Sequence, residues 1–218
     1  MNTHLQLMRD SVLAPRSAVN LARQHPNPYQ LGWIFVGILT AFALVSQLFA
    51  IHVLRPALQI SVEAPSPAFA WMDSIIGFTL LSLLSYIVVL ISQRWFWQKF
   101  ADSDVSQQAV DAPIIAGFAI SAVITLPQDI LIEVFQNSTT IVALGAVLFP
   151  IAIGVAYSTV YFSHGLGITL SRSFWLNVMF TLLLIAVGII ALLVYLVAFT
   201  VFTGSPIDAM FAVPGAVQ

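Results

Sequence analysis

Two carboxylates four residues apart, Asp129 and Glu133, follow Leu126-Pro127-Gln128 in an oily stretch, Ala112 to Asn137. Four-residue spacing sets both acids on one helix face. Acids of this kind inside a hydrophobic helix serve one of three chemistries: a wetted polar cap, a proton or cation route, or a metal site. His52, Arg55 and Asp73 are the other polar groups that close the first apolar run and open the second. A charge at the bilayer centre costs about 3 kcal/mol on insertion scales. Pairing relieves that cost, and Arg55 is the expected partner of Asp73 or Glu133, with His52 beside them. Three acids against one arginine leave an acid in excess, to be held protonated. The spacing of His52, Asp129 and Glu133 matches no established metal-ligand pattern.

The elements that must position these groups are membrane spans. The chain has 218 residues, 60% of them hydrophobic and 7% charged, whereas soluble domains carry about 25% charged residues. That composition predicts an all-α polytopic membrane protein. Five apolar runs approach the ~20 residues that cross hydrocarbon: Leu31–Leu54, Trp71–Ser92, Pro113–Phe135, Thr140–Phe162 and Phe174–Phe202. Pro127 removes a helix hydrogen bond and is expected to kink the third span or end its regular part. The pairs Gly37 with Ala41, Gly117 with Ser121, and Ala152 with Ala156 are spaced for close helix packing within the bundle, or for self-association into a homo-oligomer.

Residues 1–30 precede the first span. Leu5, Met8, Val12, Val19 and Ala22 recur at helical spacing, and Arg9, Arg16 and Arg23 run along one edge. This pattern predicts an amphipathic segment lying on an anionic leaflet. Pro15 splits it into two short helices, and His25-Pro26-Asn27-Pro28 ends it. The segment has no apolar region of the kind a cleaved leader needs, so the first span is expected to serve as an uncleaved anchor.

Orientation follows from the seven basic residues. With the N-terminus inside, Arg9, Arg16, Arg23, Arg94, Lys99 and Arg172 are cytoplasmic and Arg55 alone is outside. This bias predicts N-in, C-out, with residues 204–218 as an outer tail. Trp33, Trp71, Trp95, Trp97 and Trp175 fall at span ends, where indoles favour the headgroup layer. Trp95, Trp97 and Lys99 are accordingly expected at the membrane surface. Arg94 belongs to the same inner boundary, and Asp102, Asp104 and Asp111 follow it as a solvated loop or a docking patch for a cytoplasmic partner.

No catalysis is expected. The chain has no cysteine, no HExxH, no phosphate-binding GxxxxGK[ST] loop and no GxSxG elbow. Ser163 and His164 are adjacent, a spacing that does not make a nucleophile and its base. No cofactor is called for, and seven dispersed basic residues give no nucleic-acid surface. The expected partners are membrane lipids and a membrane or cytoplasmic protein.

Leu13-Ala14-Pro15-Arg16, Leu126-Pro127-Gln128, Phe149-Pro150 and Phe162-Ser163-His164-Gly165, together with the five-span layout, give the chain a resemblance over most of its length to the Yip family. These are the Ypt/Rab-interacting five-span membrane proteins, and the chain is most similar to their bacterial branch. The resemblance implies five helices, a cytoplasmic N-terminus and, for that branch, the bacterial inner membrane. In eukaryotic members it implies vesicle trafficking and membrane shaping through small GTPases. Their Asp-Leu-Tyr-Gly-Pro motif is missing here, so the resemblance implies a fold more than a function.

Overall fold

The computed structural model describes residues 3–57, 71, 74–100, 105–135 and 140–203. All regular structure among them is helical. The helices are α1 (Thr3–Leu13), α2 (Pro15–Arg23), α3 (Pro28–Phe49), a π turn (Ala50–Leu54) leading into the short α4 (Arg55–Ala57), α5 (Ile75–Phe100), α6 (Gln107–Phe135), α7 (Thr140–Leu166) and α8 (Leu170–Thr203). Four of them are long and apolar enough to cross a membrane: Pro28–Ala57, α5, the Gln107–Thr125 part of α6, and α8.

Local chemistry sets the boundaries. Pro15 and Pro28 each stand at the start of a helix, where the missing N–H breaks no bond and the fixed φ already suits the turn. Asn27 caps α3 by accepting a hydrogen bond from the Gln30 amide at 3.2 Å. Pro56 cannot donate to the His52 carbonyl four residues back, and its ring crowds that carbonyl. The chain widens there into the π turn, with the Arg55 amide donating to Ala50 O. Pro127 has a milder effect, because α6 runs on past it to Phe135. The helix does not end at this proline.

The third apolar run is the hub. α6 touches α1, α2, α3, α5 and α7, and 61% of its most apolar window is buried, against 0% for α8. Ala112, Ala116 and Ala119 are fully covered, and such small side chains let neighbouring backbones come close. The glycine pairs named above do not make these approaches. A Cβ added at Gly37 or Gly117 would meet nothing within 4 Å, whereas one at Gly165 would meet the Pro113 ring at 2.8 Å and one at Gly32 would meet Leu90 at 3.1 Å. Close packing therefore falls one to three turns away from the expected pairs.

The first two helices differ from expectation. Leu7, Val19 and Ala22 are fully buried, because α1 packs on α2 and α6 while α2 packs on α6 and α7. Of the stripe, Val19 and Ala22 are thus covered by protein and Met8 and Val12 partly so, whereas Leu5 is 62% exposed. Polar contacts hold this lid in place. The Tyr161 hydroxyl donates to Ser11 O at 2.6 Å and the Tyr157 hydroxyl to Val12 O at 3.3 Å, which supplies partners to carbonyls at the end of α1 that have none within the helix. Arg23 Nη2 donates to Gly165 O at 2.6 Å, a cation at the negative end of α7.

Candidate functional site

A line of half-buried polar groups runs along one stripe of α6. Ser121, Thr125 and Asp129 follow one another every four residues. Ser121 Oγ donates to Gly117 O at 2.9 Å and Thr125 Oγ1 to Ser121 O at 2.7 Å. Two neighbouring helices reach this stripe. Ser46 of α3, almost fully buried, hydrogen-bonds the Asp129 carboxylate. Tyr86 of α5 hydrogen-bonds the Thr125 side chain and lies within electrostatic range of Asp129. Side chains of α3, α5 and α6 therefore meet at Asp129, through Ser46 and Tyr86, two residues that the spacing of charges does not single out.

The other expected members of the cluster are placed as follows. His52 is exposed in the π turn, and Arg55 and Gln128 are partly exposed. Asp73 and the Glu133 side chain lie outside the described residues, and so does any pairing of Arg55 with them. Among the described residues, no group of three His, Asp or Glu side chains is arranged to hold a metal ion.

The opposite end of the bundle holds what the sequence does not announce. Arg94 of α5 grips Asp111 of α6 through two hydrogen bonds, Nε to Oδ1 at 2.9 Å and Nη2 to Oδ2 at 3.2 Å. The arginine and aspartate side chains are 23% and 6% exposed. The guanidinium also lies 3.9 Å from the centre of the Tyr29 ring of α3, an arrangement that adds cation–π attraction. Asp111 is thus no part of a solvated loop; it locks three helices together. Trp97 is likewise corrected. It is 0% exposed and stacked on Phe162, whereas Trp95, two residues before it on the helix, is 61% exposed. Two residues along a helix turn the side chain by about 200°, so one indole faces out and the other faces α7.

Of the remaining residues expected at the membrane surface, Arg9, Arg16 and Lys99 are exposed, while Arg23 reaches inward to Gly165. Arg9 also pairs with the buried Asp10 at 2.6 Å. Ser163 Oγ donates to Ile168 O at 2.7 Å, and His164 Nε2 faces Asn20 Oδ1 at 3.3 Å. Each of this adjacent pair is thus turned to a different partner, and no nucleophile–base contact forms.

Comparison of the chain with models of protein families, with curated proteins and with solved structures finds no match.

Proposed function

We propose that the chain is a non-enzymatic, Yip-like integral protein of the bacterial inner membrane, serving as an accessory or partner-binding subunit in membrane organisation. In this reading it crosses the membrane five times, with its N-terminus in the cytoplasm and its C-terminus in the periplasm. The observation that carries it is α8. Its first turns are anchored: Ser173 Oγ donates to Thr159 O at 2.8 Å, and Phe180 packs on Phe96 with ring centres 5.1 Å apart. Beyond them no residue of its most apolar window is buried. A long helix that is oily along its length, held at its start and again where the Trp71 indole donates to the Tyr195 hydroxyl at 2.9 Å, is suited to meeting lipid on one face and another membrane protein on the other. The topology draws support from the contacts of Arg23 with Gly165, Arg94 with Asp111 and Arg172 with Phe100. These put basic residues together at the end where α5 and α7 finish and α6 and α8 begin.

A reporter fused after Gln218 should be active only outside the cytoplasm, and cytoplasmic activity would rule out five spans. A photo-crosslinking residue at Ile189 of α8 should capture a membrane protein in cells. Adducts with lipid alone would overturn the partner-binding role while leaving the topology standing.

A second reading, a small transporter or channel component with Asp129 and Glu133 on a proton or cation route, is motivated by the polar line of Ser121, Thr125 and Asp129 and is the alternative that flux measurements address.

A further inference from the structure

A groove runs between α7 and α8 and meets a basic basin at the end of the bundle. The groove encloses about 670 Å³ and is lined by Ala152, Val155, Ala156, Phe174 and Val178. The basin encloses about 310 Å³ and is lined by Arg16, Ser163 and His164. Leu170 borders both, so an oily groove along the span adjoins a cationic mouth. Volumes of this order suit a bound small molecule.

We propose that this site holds one anionic glycerophospholipid, an acyl chain lying along Ala152 and Ala156 and the headgroup phosphate at Arg16. Charge complementarity selects the occupant. Arg16 is exposed on α2, and among the described residues no carboxylate pairs with it. The acid carried by α1, Asp10, is already held by Arg9 at 2.6 Å and by Ser17 Oγ at 3.2 Å. Arg23 adds a second positive charge on the far side of His164, where it lines a separate hollow with that residue. The hydrogen of the Ser163 hydroxyl is used on Ile168 O. His164 is turned through Nε2 to Asn20. The phosphate therefore rests chiefly on Arg16, a contact that a charge-assisted hydrogen bond makes strong. A basic pocket between helices at the cytoplasmic headgroup level is the general form of an anionic-lipid site. The inference rests on the membrane embedding of the chain and not on the role given to α8.

The test is a lipid titration of the full chain in mild detergent, followed by native mass spectrometry. Phosphatidylglycerol and phosphatidylcholine with identical acyl chains serve as probes. Phosphatidylglycerol should bind about tenfold more tightly, because both lipids offer a phosphate to Arg16 but the choline ammonium of the control brings a positive charge to the same cationic mouth, and Arg16→Gln should remove most of that preference. Arg16→Lys should restore most of it. Ala156→Phe, at an exposed position, should weaken both lipids by filling the groove. Equal binding of the two lipids, or no change with Arg16→Gln, would overturn the proposal. Displacement of phosphatidylglycerol by equimolar inorganic phosphate would assign the basin to free phosphate instead. The chain has no cysteine of its own, so Ala156→Cys adds a single one. A disulfide-linked dimer of that variant in the membrane would give the groove to a second copy and also defeat the lipid assignment.

Discussion

The indole of Trp97 lies flat on the ring of Phe162, with 3.8 Å between centroids and 10° between planes. This contact joins the end of α5 to the end of α7, immediately before the Ser163-His164-Gly165 exit. Trp97→Ala would leave a large cavity in fully buried surroundings and should cost about 3–5 kcal/mol. The Trp97 Nε1 hydrogen is buried with no hydrogen-bond partner. Trp97→Phe keeps an aromatic face and removes that unsatisfied donor, so it should cost much less, about 1.5 kcal/mol at most. Denaturation in detergent, read by fluorescence, separates the two; equal losses would mean the stack contributes little.

Arg94 and Asp111 make the second prediction. Breaking a buried ion pair from one side leaves a charge without a partner, at about 3–5 kcal/mol. Arg94→Gln and Asp111→Asn should each lower the unfolding temperature sharply. Arg94→Lys should not rescue, because a lysine provides neither the two-pronged grip nor the flat contact with Tyr29. The double variant Arg94→Met/Asp111→Leu should recover most of the loss, since neither charge then remains. A double variant as unstable as the sum of the single ones would show that the pair does more than neutralise itself.

Much of this architecture can be read from the sequence, and the exceptions share a cause. Apolar run lengths locate the long helices, four of which are apolar enough to cross a membrane, because bilayer thickness acts on each run separately. The spacing of Asp129 from Ser121 and Thr125 was also available, being local to one helix. The Arg94–Asp111 lock was not, since it joins two helices and neither residue differs in kind from Lys99 and Asp104 nearby in the sequence. The stripe on α1 and α2 records only that one face avoids water. Lipid and protein are both oily, so amphipathicity cannot tell a helix on a leaflet from one seated on α6 and α7. Trp97 illustrates the same ambiguity, because an indole at a span end satisfies the interface and the core equally well.

His164 predicts a pH dependence. Its proton affinity is pushed below the ordinary histidine value, first by removal from water and then by the charges of Arg16 and Arg23. The unfolded chain takes up this proton near pH 6.5, at a higher pH than the folded chain does. The contribution of His164 to stability is thus fully present above about pH 6.5 and is lost as the pH falls from there through the folded value. Unfolding temperatures between pH 7.5 and 5 should fall more steeply for the native chain than for His164→Gln. The other histidines are common to both proteins and cancel in the comparison, so identical slopes would contradict the assignment.

Asp129 decides between a packing role and a transport route. A proton relay along α6 would have to pass through the hydroxyls of Thr125 and Ser121. Both of their hydrogens are committed to carbonyls of their own helix, at 2.7 and 2.9 Å. Handing a proton on would require each hydroxyl to turn away from a carbonyl in a medium that offers no water in exchange. The arrangement therefore favours Asp129 as an acceptor that holds Ser46, and α3 with it, against α6. An asparagine retains that acceptor, so Asp129→Asn should change stability by no more than about 1 kcal/mol. Asp129→Leu removes the acceptor and should cost about 1–3 kcal/mol by leaving the buried Ser46 hydroxyl short of its partner. Liposomes containing the native protein should leak protons no faster than empty ones under an imposed pH gradient. A flux that the native protein supports and Asp129→Asn abolishes would make the carboxyl group a carrier, and the packing role would then be wrong.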